Sequence, residues 1–384
     1  MKERTAEDNP EYKLLQKHAS LSRNELVARY YINKIIAYII YYLGLLMPIR
    51  ERDCKKNDTN WRIIKYEKVL TEEEAEREIS PHNITLLEDF KLHLQLLKEK
   101  GNVISFKELI SRLVNQQYVE PNTVVITFDK GHHSIYKNAL PLLKEFGFTA
   151  TLFVPTVYIG TENMLWEDKL ILAIKILKER GIKIDDFAVI KGFQATFDDF
   201  KRRFHIEHEW YSALVYYMRT LEQEVRTQSI YEIIDHVEKI TPLPKVKSFM
   251  SWKELELAHQ DGFDIATMGH GYQFFRDLSV DEITEDINTS IKVLQEHKIE
   301  PALVISPPDQ DELFPEVRPK VVAAGALFFC GGEMYWDDFN SQELGIYFRR
   351  VFLYDFATSK PELAMQLWDL RLLNYAVANA LEGN

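Results

Sequence analysis

Several things are scarce in this chain of 384 residues, and each scarcity excludes something. There are two cysteines, Cys54 and Cys330, far apart in sequence, which is no basis for a disulfide framework and fits a reducing compartment. Positive charge is in the minority: 47 Lys and Arg face 59 Asp and Glu, a formal net charge of −12. A surface with that balance repels nucleic acid and anionic lipid, so neither is expected as the main partner. Long apolar runs are also missing. Residues 35–49, IIAYIIYYLGLLMPI, are interrupted by Pro48 and fall short of the roughly 20 residues a membrane span needs. A docked helix or one lying in a membrane interface remains open for them, and Tyr30, Tyr31, Tyr41 and Tyr42 suit the rim of either. The polar, acidic start MKERTAEDNPEYK is unlike a secretory leader, and a cytoplasmic location is expected, with peripheral membrane contact left open. No H-E-x-x-H, C-x-x-C, G-x-S-x-G or phosphate loop occurs, so zinc protease, redox, α/β-hydrolase and nucleotidase chemistries lack their minimum parts. Acidic pairs such as Asp198-Asp199 and Asp337-Asp338 read as solvated surface.

What the chain does have is 46% hydrophobic and 12% aromatic residues, enough for a barrel-sized core. Short β-branched or aromatic runs at residues 124–128, 149–154, 263–266, 303–305 and 326–329 read as strands, and WRIIKYEKV from Trp61 reads as the first of them. Helix starts are marked by Ser-x-x-Glu capping boxes at Ser105 with Glu108, Ser251 with Glu254 and Ser279 with Glu282. Apolar residues at helical spacing follow, such as Ile283, Ile287, Ile291 and Leu294. Alternating strands and helices predict a parallel sheet with crossovers. No G-x-G-x-x-G follows the first strand, which disfavours an open nucleotide-binding sheet. Residues 161–248 break the rhythm with a charged stretch of helical period. Residues 1–60 divide into a polar tail, a helix and the linker ERDCKKNDTN, leaving 61–384 as the main body.

Residues 123–155, TVVITFDKGHHSIYKNALPLLKEFGFTATLFVP, carry a buried strand, an acidic turn, a helix and a second buried strand. This stretch resembles the first motif of the polysaccharide deacetylases, the nodulation-type carbohydrate de-N-acetylases, which runs TFDDG before a helix and a strand of type ATLFV. The likeness extends in order along most of the chain. Tyr66-Glu67-Lys68-Val69 stands where many members have Tyr-His-Arg-Val. Phe90-Lys91-Leu92-His93-Leu94 matches F-x-x-H-L, and Val103-Ile104 the short strand beyond it. Trp166-Glu167-Asp168-Lys169-Leu170 is similar to a Trp-Asp-Arg-Leu stretch in a branch with a helical insertion, and Met250-Ser251-Trp252 to its Met-Ser-Trp. The resemblance implies an α/β fold, an incomplete or distorted (β/α) barrel with an N-terminal helix and a helical insertion at about 161–248.

The resemblance also implies a site. Asp129 takes the place of the general base. Lys130 stands where a second Asp would join two His around a divalent cation, and a Lys donates rather than accepts and repels a metal. An ion pair of Lys130 with Asp129 is expected in the cation's stead. The H-[ST]-x-x-H-x-x-L motif is reduced to His270 as the remaining ligand candidate, with Phe274 four residues on; counting back from Leu278-Ser279 puts Gly271 and Phe275 at the two positions. Ser306 replaces the Arg that orients the base, Pro308 is retained, and the backbone N–H of Asp309 falls at the oxyanion position. A late His acting as general acid has no counterpart, because every His lies at or before His297. His132 and His133 beside the acidic turn are candidates for a rearranged site with Asp129 and His270, or else cap the next helix. Trp166 is a candidate binding residue at the mouth.

These departures together lead to a deacetylase-like protein without catalysis, binding a glycan or a protein partner through the barrel mouth. No metal or other cofactor is expected on that reading. Zinc or another divalent cation belongs only to the alternative, an active hydrolase of an N-acetylated glycan. A third alternative is a scaffold acting through the N-terminal helix and the insertion. The carbohydrate expectation rests on analogy.

Overall fold

The computed structural model describes residues 38–44, 61–81, 83–204, 210–308, 317–326, 328–331, 346–352 and 360. Cys54, Asp309, Asp337, Asp338 and most of residues 35–49 lie outside the described residues, as do the side chains of Asp198 and Asp199.

β1 (Trp61–Tyr66) and β5 (Thr123–Phe128) lie side by side in parallel through six paired residues, Trp61 to Tyr66 against Thr123 to Phe128. Every residue of β5 is buried, as expected for a strand covered on both faces. β5 continues to β6 (Thr151–Val154), and β6 to β7 (Asp264–Thr267). A two-residue strand, β4 (Asn102–Val103), also pairs with β5. From β7 a single bridge, Thr267 with Ile305, leads to another, Ile305 with Phe329, and so to β8 (Phe328–Gly331), which pairs with β9 (Ile346–Arg349). One residue further, β10 (Val351–Phe352) pairs with β1. The pairings therefore return to their start, and all of them are parallel. This is a (β/α) barrel, distorted because its closing side rests on single bridges and on a chain that changes neighbours at Arg350.

Local chemistry explains the irregular side. Residues 303–305 do not form the expected strand: Leu303 is 80% exposed and only Ile305 bridges. Pro301 before it and Pro307 and Pro308 after it supply no N–H to extend a ladder. The strand expected at 326–329 lies slightly later, at β8. The expected first strand divides at Glu67, and β2 (Lys68–Leu70) pairs instead with β3 (Ile84–Leu86) in a separate small sheet. Two of the three expected capping boxes are complete, at Ser251 and Ser279. At Ser105 only the Ser side chain caps, because the Glu108 carboxylate takes Arg112 instead at 2.6 Å. Thr71 and Glu74 form a further box.

The insertion consists of helices Trp166–Glu179, Ala188–Phe204, Trp210–Thr220 and Gln223–Glu238. They bury their own apolar cluster, including Leu170, Ile174, Phe193, Leu214 and Ile233, and share none of its residues with the barrel core built on Ile64, Ile126, Phe153 and Ile265. Near the N-terminus residues 38–42 are helical. Ile40 and Tyr41 pack on the barrel core, and the Tyr41 hydroxyl donates to Glu99 at 3.3 Å. No helix among the described residues is long and apolar enough to cross a membrane.

One turn depends on a glycine. Gly269, just past β7, has φ +84°, and a Cβ there would sit 2.0 Å from Asp286 Oδ2. That carboxylate accepts the backbone N–H groups of His270 and Gly271 at 3.0 and 2.8 Å. Gly269→Ala is expected to cost about 1–3 kcal/mol from the backbone conformation alone, with the Asp286 contact adding to it. Urea unfolding measures this, and an unshifted midpoint contradicts it.

Candidate active site at the barrel mouth

Polar side chains converge at the carboxyl ends of the strands, where open and closed α/β sheets place their sites. Glu67 follows β1, Asp129 and Lys130 follow β5, Thr156 lies just past β6, His270 follows β7, Ser306 follows the Ile305 bridge, and Arg350 links β9 to β10. The turn after β5 is tight. Lys130 and Gly131 both have positive φ, +69° and +66°, and Lys is a costly residue there.

Asp129 is fully buried. Arg350 grips it with two parallel bonds, Nη1 to Oδ1 at 2.5 Å and Nη2 to Oδ2 at 2.9 Å, the strong bidentate form of ion pair. Lys65 Nζ lies 3.0 Å from Oδ2. The same Arg350 Nη2 donates to Ser306 Oγ at 2.8 Å. The resemblance gives position 306 to the base-orienting Arg. In space that guanidinium has been supplied from another strand, and Ser306 has become one of its acceptors.

Lys130 does not take the place opposite Asp129 that the sequence suggested. Its ammonium sits 2.8 Å from Glu67 Oε1 and 3.6 Å from Glu167 Oε1, and 5.8 Å from the centre of the Tyr272 ring. Successive residues of a tight turn point different ways, and the left-handed conformation at Lys130 sends its side chain to the insertion side. Glu67 also accepts from Asn83 Nδ2 at 2.7 Å, and Arg219 Nη2 comes within 3.4 Å of Glu167. Glu67, where the resemblance has a His, is thus the partner of Lys130, where it has an Asp. The two substitutions make one ion pair.

The histidines are dispersed. His270 Nδ1 bonds with the Thr156 hydroxyl at 2.9 Å, which itself donates to Ser290 Oγ at 3.3 Å. His132 Nδ1 receives the Ser134 backbone N–H at 3.2 Å and pairs with the Ser134 hydroxyl at 2.8 Å, a local cap of the turn. Glu78 stands 3.9 Å from His132 Nε2, so the group imitates a Ser-His-Glu triad. It lacks the chemistry of one: Ser134 Oγ already accepts Val69 N–H at 3.2 Å. Burial first, and then the Lys68 charge, push the His132 imidazole down to about 3, too weakly basic to take a serine proton at neutral pH. His133 stands 3.4 Å from Glu254. Trp166 is half-buried at the start of its helix and meets the Phe274 ring edge-on at 6.4 Å. Pro308 is buried.

These residues do not fit a divalent cation. Among the described residues no group of three or more His, Cys, Asp or Glu could hold one. Asp129 is engaged by two cationic side chains, Lys130 brings an ammonium to the second ligand position, and Phe274, the residue four after His270, offers no donor atom.

Lys65, Glu167, Arg219 and Arg350 were missed by the sequence reading. One signal was present for Arg350, since I-Y-F-R-R-V-F places two Arg in an apolar strand run and at least one must find a buried partner. Nothing in the sequence says which Arg turns inward.

The chain is similar to known proteins in three comparisons. The family model described as polysaccharide deacetylase matches residues 116–312, about half of the chain. The protein named "Putative polysaccharide deacetylase YxkH" of Bacillus subtilis (strain 168) is 29% identical over 102 residues, which is 26% of this chain and 35% of that protein. The match therefore spans about a third of that relative's length. Similar solved structures include the Streptococcus pyogenes deacetylase PplD in complex with acetate, with TM-score 0.48 and 14% identity over 80% of this chain and 98% of that one. Another is IcaB from Ammonifex degensii, with TM-score 0.46 and 13% identity over 80% and 97% of the two chains.

Two outcomes are expected from substitutions here. Arg350→Met leaves the Asp129 charge buried without its guanidinium and should cost about 3–5 kcal/mol. Adding Asp129→Asn should recover a large part of that in urea unfolding; strictly additive losses contradict the pairing. Asp168 provides a pH test. Burial pushes its carboxyl up to about 6, with Lys68 acting against the rise and Glu167 adding to it. A carboxyl whose folded value lies above its unfolded one penalises the fold when ionised. The penalty is full above pH ~6 and gone below pH ~4, the unfolded value. Asp168→Asn should therefore be more stable than wild type by about 2–3 kcal/mol at pH 7.5, the difference shrinking toward pH 4. A variant less stable at pH 7.5 contradicts this.

Proposed function

This chain belongs to the polysaccharide deacetylase family, and we propose that it is a member without hydrolytic activity that binds a carbohydrate chain through the barrel mouth. The observation that carries the loss of activity is the ion pairing. Lys130, where the resemblance places a metal ligand, is held by Glu67 and Glu167. Asp129, the base position, has the Lys65 ammonium at 3.0 Å in addition to the Arg350 guanidinium. Among the described residues there is no ligand set for a metal that would polarise an amide carbonyl or activate a water.

Binding is supported by what remains at the mouth. Trp166 and Tyr158 are half-buried, Tyr272 lies beside Lys130, and fixed charged and hydroxyl groups stand among these rings, the mixture that small-molecule and sugar sites use. The carbohydrate itself comes from the family, and a protein ligand is the other occupant to be tested.

Incubation with an N-acetylglucosamine oligosaccharide, with and without added zinc or cobalt, is expected to release no acetate above a protein-free blank. Calorimetric titration with the same oligosaccharide is expected to show saturable heat. Acetate release that disappears in Asp129→Asn would overturn the inactive reading and restore the hydrolase. Absence of heat would reject the carbohydrate and leave the protein ligand.

A further inference from the structure

The insertion meets the barrel mainly through polar groups, with Trp166 against Phe274 as an aromatic contact between them, and this sets it apart from the rest of the interior. Its helices belong to one apolar cluster and the barrel to another, with Leu165 in the barrel core and Leu170, little more than a helical turn later, in the insertion core. Between the two bodies stand charged contacts. Glu167, on the first insertion helix, faces Lys130 at 3.6 Å, and is itself approached at 3.4 Å by Arg219 from the third helix, within the insertion. Arg226, on the fourth, pairs with Asp277 past β7, while Arg276 donates to the Arg219 carbonyl. Both Arg226 and Arg276 place their guanidinium 4.7 Å from the centre of the Phe274 ring. Lys175 adds a bond to the Ile79 carbonyl at 2.6 Å.

Two of the barrel residues in these contacts, Lys130 and Phe274, occupy positions where the resemblance has metal ligands. Glu67, Lys130 and Tyr272 lie at the strand ends yet are only 3–5% exposed. The chain leaves the insertion through Pro242 and Pro244 and is fastened again at once, His133 N–H to the Ser248 carbonyl at 2.8 Å and Met250 N–H to the Gly131 carbonyl at 2.9 Å. Apolar burial holds each body together, whereas between them stand ion pairs and the ring of Phe274 with its Trp166 and arginine contacts, and interfaces of that kind separate most readily.

We propose that the four-helix insertion is a lid, latched over the barrel mouth by the Lys130–Glu167 and Arg226–Asp277 ion pairs, and that the mouth is reached when the latch opens. The former cation position has become a fastening point. As regulation of the mouth this rests on the binding function above. The latch is tested without ligand, so the failure of either is distinguishable from the failure of the other.

Hydrogen exchange followed by mass spectrometry on the full chain is the test. In the wild type the protected amides of the four insertion helices should exchange as one group, faster than those of β1, β5 and β6. In Glu167→Gln and, separately, Arg226→Gln, that whole group should exchange at least about tenfold faster while the strands stay unchanged. Faster exchange confined to the turn around the substitution would show a local packing role and overturn the lid. So would insertion and strand amides exchanging at one common rate in the wild type, a result that needs neither variant to fold.

Discussion

A charge removed from water must meet an opposite charge, and at this barrel mouth that requirement organises everything else. Asp129, Glu67, Lys130, Glu167 and Arg350 are all at most 4% exposed. Each alone would be expensive to bury, and each has a counter-charge within about the 4 Å at which ion pairs act. The substitutions that separate this chain from the family pattern are therefore coupled. Lys130 requires an acid, and Glu67 supplies it. Ser306 removes a guanidinium from one strand, and Arg350 returns one from another. The mouth thus holds an ammonium and a guanidinium as fixed parts of the chain, each against a buried carboxylate.

This pairing also helps to hold the fold. Arg350 lies between β9 and β10, where the chain passes from pairing with β8 to pairing with β1, so its bonds to Asp129 and Ser306 tie the last strand to the end of β5 and to the proline-rich segment after Ile305. That is the side of the barrel with the fewest ladder bonds. One residue on from Asp129, Lys130 is held by Glu67 and reaches Glu167 of the insertion. An ion-pair network thus stands at the positions where the resemblance places a reaction centre.

The sequence made the architecture legible because fold information is repeated along the chain. β5 and β6 follow from β-branched runs, the helices at Trp252 and Val280 from complete capping boxes, and the insertion from a change of period. Where neighbouring prolines decide the outcome, as at Leu303, local propensity misleads. The site was legible only as a set of departures. Asp129, Lys130, Glu67 and Ser306 could each be seen to differ from, or match, a pattern. Their partners could not, because ion pairing joins residues as distant as Asp129 and Arg350 and depends on side-chain direction at a left-handed turn. The expected contact between Lys130 and Asp129 paired sequence neighbours, when the backbone at Lys130 turns the two apart.

The central claim is that internal cations occupy the place of the metal. Crystals grown in zinc, with diffraction recorded on both sides of the zinc absorption edge, test it most directly. The account predicts no anomalous peak beside Asp129, with Arg350 density on both of its oxygens and the Lys130 ammonium against Glu67. A zinc peak within bonding distance of Asp129, with Lys130 or Arg350 displaced, would contradict it.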